Sequence, residues 1–364
     1  MEKKKLQISH FLVFSIIHSI QLGVGVFGFQ RIIMESAGND AWVAVIAAAL
    51  LMNLIIWFMY VLLNRHKKDL VDIHKELFGK WIGGFFSLIW VAYWILIAIT
   101  VLRTYLEVVQ VWVYPTINIL IFSLFMLGLT YYCVTGGFRI VAGISFLGIV
   151  IPFYIFFTFL FPLEYTNFRN FLPFFNHSIS DLAIATKDMI LTYIGPSTLL
   201  MFYPYIKNPE KSQKWAHLGN FISLTLYLYI LIISIGFFSE KQVSQHIWAT
   251  LSMWKIVELP FVERIEYIGI TSWILIILPN LCMSVWASKK GIEKIFNLKS
   301  KTAIILILLI VLLSTVLIRG REAVQFINTY IGDFALYIVF LYLPFLAILS
   351  FIITKVRGTK GAKS

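Results

Sequence analysis

The chain has 364 residues, of which 60% are hydrophobic and 13% are charged, and its formal net charge is +12. Soluble domains carry about 25% charged residues, so the composition excludes an ordinary soluble protein and indicates an integral membrane protein. The two cysteines, Cys133 and Cys282, lie within apolar runs, which argues against a disulfide framework or a cysteine metal site.

Apolar runs near the ~20 residues needed to cross a bilayer core follow one another along the chain. We expect an all-α integral membrane protein, a single transmembrane domain over residues 1–364 with ten transmembrane helices. The first run has no small-residue cleavage site, so we interpret it as a span rather than a signal peptide. The predicted spans are 8–34, 41–63, 82–111, 117–134, 140–161, 182–205, 215–238, 266–289, 302–318 and 329–353.

Basic residues indicate the orientation of these spans. Most of the 30 lysines and arginines fall in alternate connections, including residues 3–5, 65–80 and 355–363. The positive-inside rule places this side, with both termini, in the cytoplasm. The net charge therefore reflects membrane topology, and we expect no nucleic-acid partner.

The first span contains "GVGVFG", Gly23 to Gly28, which matches the G-x-G-x-x-G pattern of dinucleotide-binding loops. That loop needs a preceding strand and an acid about 20 residues later, and the sequence has no acid between Ala41 and Lys68. Helix packing through small residues would need a spacing of four. We therefore expect a break in this helix, where glycine permits non-helical backbone dihedrals.

The sixth span predicts a second break. Its "TYIGPSTLLMFYP" places Gly195 and Pro196 inside an apolar run, where proline removes a helical donor and clashes with the preceding turn. Interrupted helices at corresponding positions are typical of transporters built from inverted repeats. We expect a 5+5 inverted repeat, residues 8–161 and 182–353, with broken helices 1 and 6.

The chain resembles the amino acid–polyamine–organocation superfamily and, over essentially its full length, the B subunit of nutrient germinant receptors from endospore-forming bacteria. The likeness lies in the order and spacing of "ISHFLVFSIIHSIQLGVGVFGF", "IGPSTLLMFYPYI", a tryptophan-rich outer segment and a basic tail. This resemblance implies the LeuT-type fold and a sensor for a small nutrient, often an amino acid. It also implies the spore inner membrane as location and A and C subunits as partners.

The breaks predict a site for a zwitterion. Amides at Phe27 and Gly28 begin the second half-helix and suit a carboxylate. Carbonyls at Leu22 and Gly23 end the first half-helix and suit an ammonium group or a cation. The sixth span offers the same arrangement, with donors from Ser197 and Thr198 opposite the carbonyls of Tyr193 and Ile194.

The fold implies side-chain walls from the third and eighth spans, and Leu199 is expected to shape selectivity sterically. The candidate ligand-binding residues are Gly23, Val24, Gly25, Phe27, Gly28, Tyr93, Trp94, Ile97, Tyr193, Gly195, Ser197, Thr198, Leu199 and Ser284. Gly23 and Ser284 also form a possible cation site.

Several residues leave alternatives open. Tyr93 and Trp94 fit ordinary packing as well as a ligand wall, and His18 fits a satisfied membrane histidine as well as a functional one. Arg103 and Glu107 are spaced as a mutually supporting pair or an outer gate. The outer segment, residues 243–264, fits either a lid over the outer mouth or a surface loop anchored by its tryptophans.

Two functions share this site: a receptor subunit and an autonomous amino acid permease. The fifth span has no lysine that could replace sodium in proton coupling, which favours the receptor. An enzyme is not expected because the sequence has no HExxH or GxSxG motif. We expect no cofactor, and the surroundings are a lipid bilayer.

Overall fold

A computed structural model describes residues 7–257 and 263–361. Within these ranges the regular secondary structure is helical apart from two short strands, and turns and irregular connections join the elements. The predictions for the basic residues 3–5 and 363, and for positions 258–262 of the outer segment, concern residues outside the described ranges.

The elements are numbered in chain order. The helices are α1 (Leu12–Gln21), α2 (Phe29–Ala37), α3 (Ala41–His66), α4 (Leu70–Trp112), α5 (Ile119–Thr135), α6 (Phe138–Val150), α7 (Leu160–Leu163), α8 (Ile179–Tyr193), α9 (Leu199–Phe202), α10 (Gln213–Phe237), α11 (Glu240–Gln245), α12 (Ala249–Trp254), α13 (Ile265–Ser272), α14 (Ile274–Phe296), α15 (Ser300–Leu317), α16 (Arg321–Ala335) and α17 (Leu343–Gly361). The strands are β1 (Ile8–Ser9) and β2 (Ile206–Lys207). Short 3₁₀ segments cover Val24–Phe27, Gly38–Asp40, Ile151–Phe159, Phe168–Phe171, Gly195–Thr198, Tyr203–Tyr205 and Pro209–Ser212, and a π-helical segment covers Leu336–Tyr342.

Seven helical stretches of the described chain are long and apolar enough to cross a membrane. Two further apolar helices, α1 and α5, are shorter, and the first and sixth predicted spans are each divided into pieces. The chain is therefore all-helical and suited to a membrane, while the count of ten stays a prediction. The seven stretches are Phe29–His66, Leu70–Trp112, Phe138–Leu163, Pro209–Phe237, Ile265–Phe296, Ser300–Leu317 and Arg321–Ile353.

The connection at residues 65–80 is shorter than the sequence suggests. Helix α3 continues to His66, and α4 begins at Leu70. The Asp69 side chain caps α4 by accepting a hydrogen bond from the backbone amide of Asp72 at 3.2 Å. Gly79 kinks α4 with φ 78°, which glycine adopts without steric cost. Lys294 at the end of α14 bonds to both Asp69 and Asp72. Burial raises the pKa of Asp69 above its ordinary value, against the opposing attraction of Lys294.

Helix α14 lies at the centre of the molecule. It packs against α4, α6, α15 and α1, and its residues from Pro279 to Lys289 are all buried. The parallel strands pair Ile8 with Ile206 and Ser9 with Lys207. This pairing joins the start of the first predicted span to the end of the sixth, so the two interrupted segments lie side by side next to α14.

Candidate functional site

The first predicted span is interrupted between α1 and α2. Leu22 is extended, with φ −93° and ψ 93°, and a 3₁₀ turn follows at Val24–Phe27 before α2 begins at Phe29. None of the three glycines has a positive φ. The interruption therefore lies where we expected it, and its non-helical dihedrals, at Leu22 and Gly23, have a negative φ.

Close contacts explain two of these glycines instead. A Cβ atom on Gly28 would lie 2.4 Å from the carbonyl oxygen of Ile247, so only glycine fits there without a shift of the backbone. A Cβ atom on Gly25 would lie 3.0 Å from Cγ2 of Thr192, and one on Gly23 would meet nothing within 4 Å.

The sixth predicted span tightens rather than unwinds. Ile194 keeps helical dihedrals of −71° and −12°, and the chain passes through a 3₁₀ segment at Gly195–Thr198 into α9. A Cβ atom on Gly195 would lie 2.3 Å from the carbonyl oxygen of Ile20. Gly195 thus permits contact between the two interrupted spans, and an unwound centre in the sixth span is not found.

The carbonyl end of α1 is already occupied by protein donors. The Tyr227 hydroxyl donates to the Gln21 carbonyl at 2.8 Å, and the Trp273 indole donates to the Gly23 carbonyl at 3.2 Å. The Asn280 amide donates to the carbonyls of Leu22 at 3.0 Å, Ser19 at 3.1 Å and Ile276 at 2.9 Å. The carbonyls at the end of α1 that were predicted to bind an ammonium group therefore already accept hydrogen bonds from protein side chains.

The amide donors lie earlier than predicted. The Gly28 amide is taken by the Gly25 carbonyl at 3.1 Å. A 3₁₀ turn bonds residues three apart, so the amides of Gly23, Val24 and Gly25 precede its first internal bond. In the described part of the chain no acceptor bonds to these three amides. They are the backbone donors left free at the start of the turn.

A cavity of about 160 Å³ opens beside the interruption. Six of the candidate ligand-binding residues line it: Gly23, Val24, Gly25, Gly28, Ile97 and Gly195. An apolar cavity of about 150 Å³ holds a molecule the size of benzene, so this space is large enough for a small amino acid. The lining also includes Arg31, Thr100, Thr104, Asp188, Thr192, Tyr227, Trp248, Asn280, Arg321 and Asn328.

The other candidate residues lie outside the cavity wall. Phe27 packs between Trp254 and Trp273, with ring centroids 5.9 and 4.6 Å away. The Trp94 indole donates to the Ser197 hydroxyl at 3.2 Å, which joins two predicted ligand residues to each other. Tyr93, Tyr193, Thr198, Leu199 and Ser284 are buried around this core and do not line the cavity.

The possible cation site is not assembled as predicted. The Gly23 carbonyl accepts from Trp273, and Ser284 lies outside the cavity that Gly23 lines. Among the described residues no group of three or more His, Cys, Asp or Glu side chains could hold a metal ion.

The outer segment packs into the interruption through α12. The Thr250 hydroxyl donates to the Val26 carbonyl at 2.7 Å and receives the Gln30 amide at 2.6 Å. Trp248 and Trp254 are 8% and 1% exposed. The surface-loop alternative, in which these tryptophans anchor in lipid headgroups, is wrong because both are buried in the protein. Ile247 and Trp248 of this segment line the cavity, and the lid stays a prediction.

Hydrogen-bond and ion-pair partners decide between the alternatives left open for His18 and for Arg103 with Glu107. His18 Nδ1 lies 2.9 Å from the Ser223 hydroxyl, so His18 is a satisfied histidine. Arg103 and Glu107 do not pair with each other: Arg103 donates to the Ile318 carbonyl at 2.6 Å, and Glu107 receives Arg321 at 3.0 Å. The paired interpretation of this spacing is wrong because the Ile318 carbonyl at the end of α15 and Arg321 at the start of α16 supply nearer partners.

Sequence reasoning missed the polar residues of the outer cavity wall. Asp188 and Thr192 lie one turn apart on α8, and Arg321 begins α16 with its guanidinium 5.1 Å from the Trp248 ring. Asp188 gave a usable signal, since a charged residue in an apolar run marks a functional site by default. The contact of Arg321 with Glu107 gave none, because the partners are more than 200 residues apart.

The family model and the similar sequences agree on one family. Residues 7–324 match the family model described as Spore germination protein. The chain is 41% identical to spore germination protein GerQB of Bacillus cereus, covering 93% of this chain and 94% of that protein. It is 24% identical to spore germination protein A2 of Bacillus subtilis (strain 168), covering 97% of each. A Na⁺-coupled sialic acid symporter shares the fold, with a TM-score of 0.66, 12% identity, and coverage of 92% of this chain and 79% of the symporter.

Proposed function

The chain belongs to the spore germination protein family, and we propose that it is the B-type subunit of a nutrient germinant receptor. In this role it binds a small nutrient at the cavity beside α1, α2 and α8 and passes the signal to partner subunits. The observation that carries the proposal is the cavity itself, which brings free backbone amides of Gly23–Gly25 to a space of amino-acid size in a family of germination proteins.

The architecture we propose is ten spans in a 5+5 inverted repeat, residues 8–161 and 182–353. Both termini face the cytoplasm, as the basic connections favour. The fold likeness to a symporter supports the arrangement, and so does the strand pairing that joins the start of the first span to the end of the sixth.

The ligand we propose is an amino acid. Its carboxylate binds the amides of Gly23, Val24 and Gly25, where the positive end of the turn and the absence of competing acceptors among described residues favour an anion. The partners are the A and C subunits of the receptor, in the inner membrane of the spore. Their assignment rests on the resemblance to receptor B subunits.

The second candidate is an autonomous amino acid permease. The observation in its favour is the fold shared with a Na⁺-coupled sialic acid symporter. A transporter needs alternating access to both sides of the membrane, whereas a receptor subunit needs only ligand-dependent contacts with its partners.

Ligand screening followed by transport assay separates the two functions. The purified chain is screened by thermal shift against the twenty proteinogenic L-amino acids, and each stabilising amino acid is then tested for uptake into proteoliposomes with a sodium gradient. The receptor proposal expects stabilisation by one or a few amino acids without concentrative uptake. Concentrative uptake by this chain alone would establish the permease, and no stabilisation by any amino acid would contradict the nutrient site.

A further inference from the structure

Asp188 is an unpartnered acid in the cavity wall. It lies on α8, is half-buried, and accepts no hydrogen bond and joins no ion pair from any described residue. Its neighbour Lys187 is engaged elsewhere, with Asp333 at 2.8 Å. A carboxylate removed in part from water without a partner is costly unless something else supplies the positive charge.

Asp188 lies on the face of α8 that contacts the interruption with the free amides. Thr192 follows one turn later on the same face of α8 and also lines the cavity. Thr192 is the side chain nearest to Gly25, because a Cβ atom on Gly25 would lie 3.0 Å from its Cγ2. Asp188 is thus roughly 6 Å along the helix axis from the residue that touches the interruption, and it lines the same cavity as Gly23, Val24 and Gly25.

The other cavity-lining charges are positive. Arg321 is partly balanced by Glu107 at 3.0 Å, and Arg31 lies on α2 beside the interruption. Among the described cavity-lining residues, Asp188 is the acid. The carbonyls at the end of α1 already accept from Tyr227, Asn280 and Trp273, so they offer little to an ammonium group.

We infer that Asp188 binds the ammonium group of the nutrient while the amides of Gly23–Gly25 bind its carboxylate. This inference rests on the proposed function and assigns the ligand class as an α-amino acid carrying both charges. A charged hydrogen bond to Asp188 is stronger than a neutral one. A carboxylic acid without the ammonium group leaves Asp188 unpaired beside the ligand and is rejected.

The test compares Asp188→Asn with Asp188→Glu and Asp333→Asn in the purified chain. Asp188→Asn keeps the side-chain shape and removes the charge, whereas Asp188→Glu keeps the charge. Asp333→Asn removes a charge close by that does not line the cavity. The probes are an L-amino acid that stabilises the parent chain and its analogue lacking the amino group, measured by titration calorimetry.

We expect Asp188→Asn to weaken amino acid binding at least about tenfold, as loss of a charged hydrogen bond implies. It should also reduce the preference for the amino acid over the analogue. Asp188→Glu should keep that preference, and Asp333→Asn should bind within about twofold of the parent on the same scale.

Parent-like affinity and preference in Asp188→Asn would overturn the assignment of Asp188 and leave the nutrient site intact. If Asp333→Asn lost the preference for the amino acid over its analogue to the same degree, the assignment of Asp188 would also be overturned. The loss would then follow from removing any nearby negative charge and not from a contact with Asp188. A parent chain that binds none of the twenty amino acids would overturn the proposed function together with this inference.

Discussion

Gly23 and Gly195 both line the cavity, yet their surroundings differ. A Cβ atom on Gly195 would lie 2.3 Å from the Ile20 carbonyl oxygen, whereas one on Gly23 would meet nothing within 4 Å. The sequence identifies both glycines as special, because each interrupts an apolar run. It does not show the reason at Gly195, since the backbone that approaches it belongs to another span.

This difference predicts opposite outcomes for the same substitution. We expect Gly195→Ala to destabilise the protein by about 1–3 kcal/mol, because the Ile20 backbone must shift to make room. Gly23→Ala should change stability by less than about 0.5 kcal/mol, as substitutions without close contacts do. Thermal unfolding in detergent measures both. Equal unfolding temperatures for the two variants would show that the two spans do not approach as closely as described.

At the scale of elements, side chains from α14 and α10 donate hydrogen bonds to the carbonyls at the end of α1. Asn280 on α14 bonds to the carbonyls of Ser19 and Leu22, and Tyr227 on α10 bonds to that of Gln21. The sequence predicts that free carbonyls occur where a membrane helix is interrupted. It could not predict that side chains from later spans would take them, because that depends on how the spans pack.

Removal of the Asn280 amide should release these carbonyls. We expect Asn280→Ala to cost about 1–3 kcal/mol, since several hydrogen bonds in a buried site are lost together. The matched control is Asn39→Ala, because the Asn39 amide makes one long bond of 3.5 Å near the surface. Thermal unfolding of both variants is the measurement, and a smaller effect for Asn280→Ala than for Asn39→Ala would contradict the capping role.

At the scale of the whole molecule, composition and charge predict a helical membrane protein, and the fold agrees. The glycine pattern also predicts where the first span is interrupted. The sequence predicts only part of the cavity wall. The candidate ligand-binding residues include backbone positions such as Gly25, but they do not include Asp188 or Arg321. Asp188 carries a sequence signal as a charge in an apolar run. That it lines the same cavity as Arg321 depends on which helices meet there, and the order of residues along one span does not contain that information.

Orientation is tested by labelling from outside the membrane. We expect a cysteine at Lys67 to resist an impermeant thiol reagent in intact cells and a cysteine at Ile179 to react, since both positions are exposed and the predicted topology puts them on opposite sides. The native Cys133 and Cys282 are buried and serve as background. Labelling at Lys67 without permeabilisation would contradict cytoplasmic termini.

The central claim is that the cavity beside the first interruption binds the nutrient. Gly25 is exposed at its wall, so Gly25→Leu places a side chain in the space and against Thr192. The control is Ala47→Leu, at a half-buried position in the uninterrupted α3.

The measurement that tests this claim most directly is nutrient-triggered germination of spores that carry each variant, with membrane abundance followed by immunoblot. We predict that Gly25→Leu reaches normal abundance but no longer responds to the nutrient, while Ala47→Leu responds close to the parent. A normally abundant Gly25→Leu protein that responds like the parent would contradict the claim.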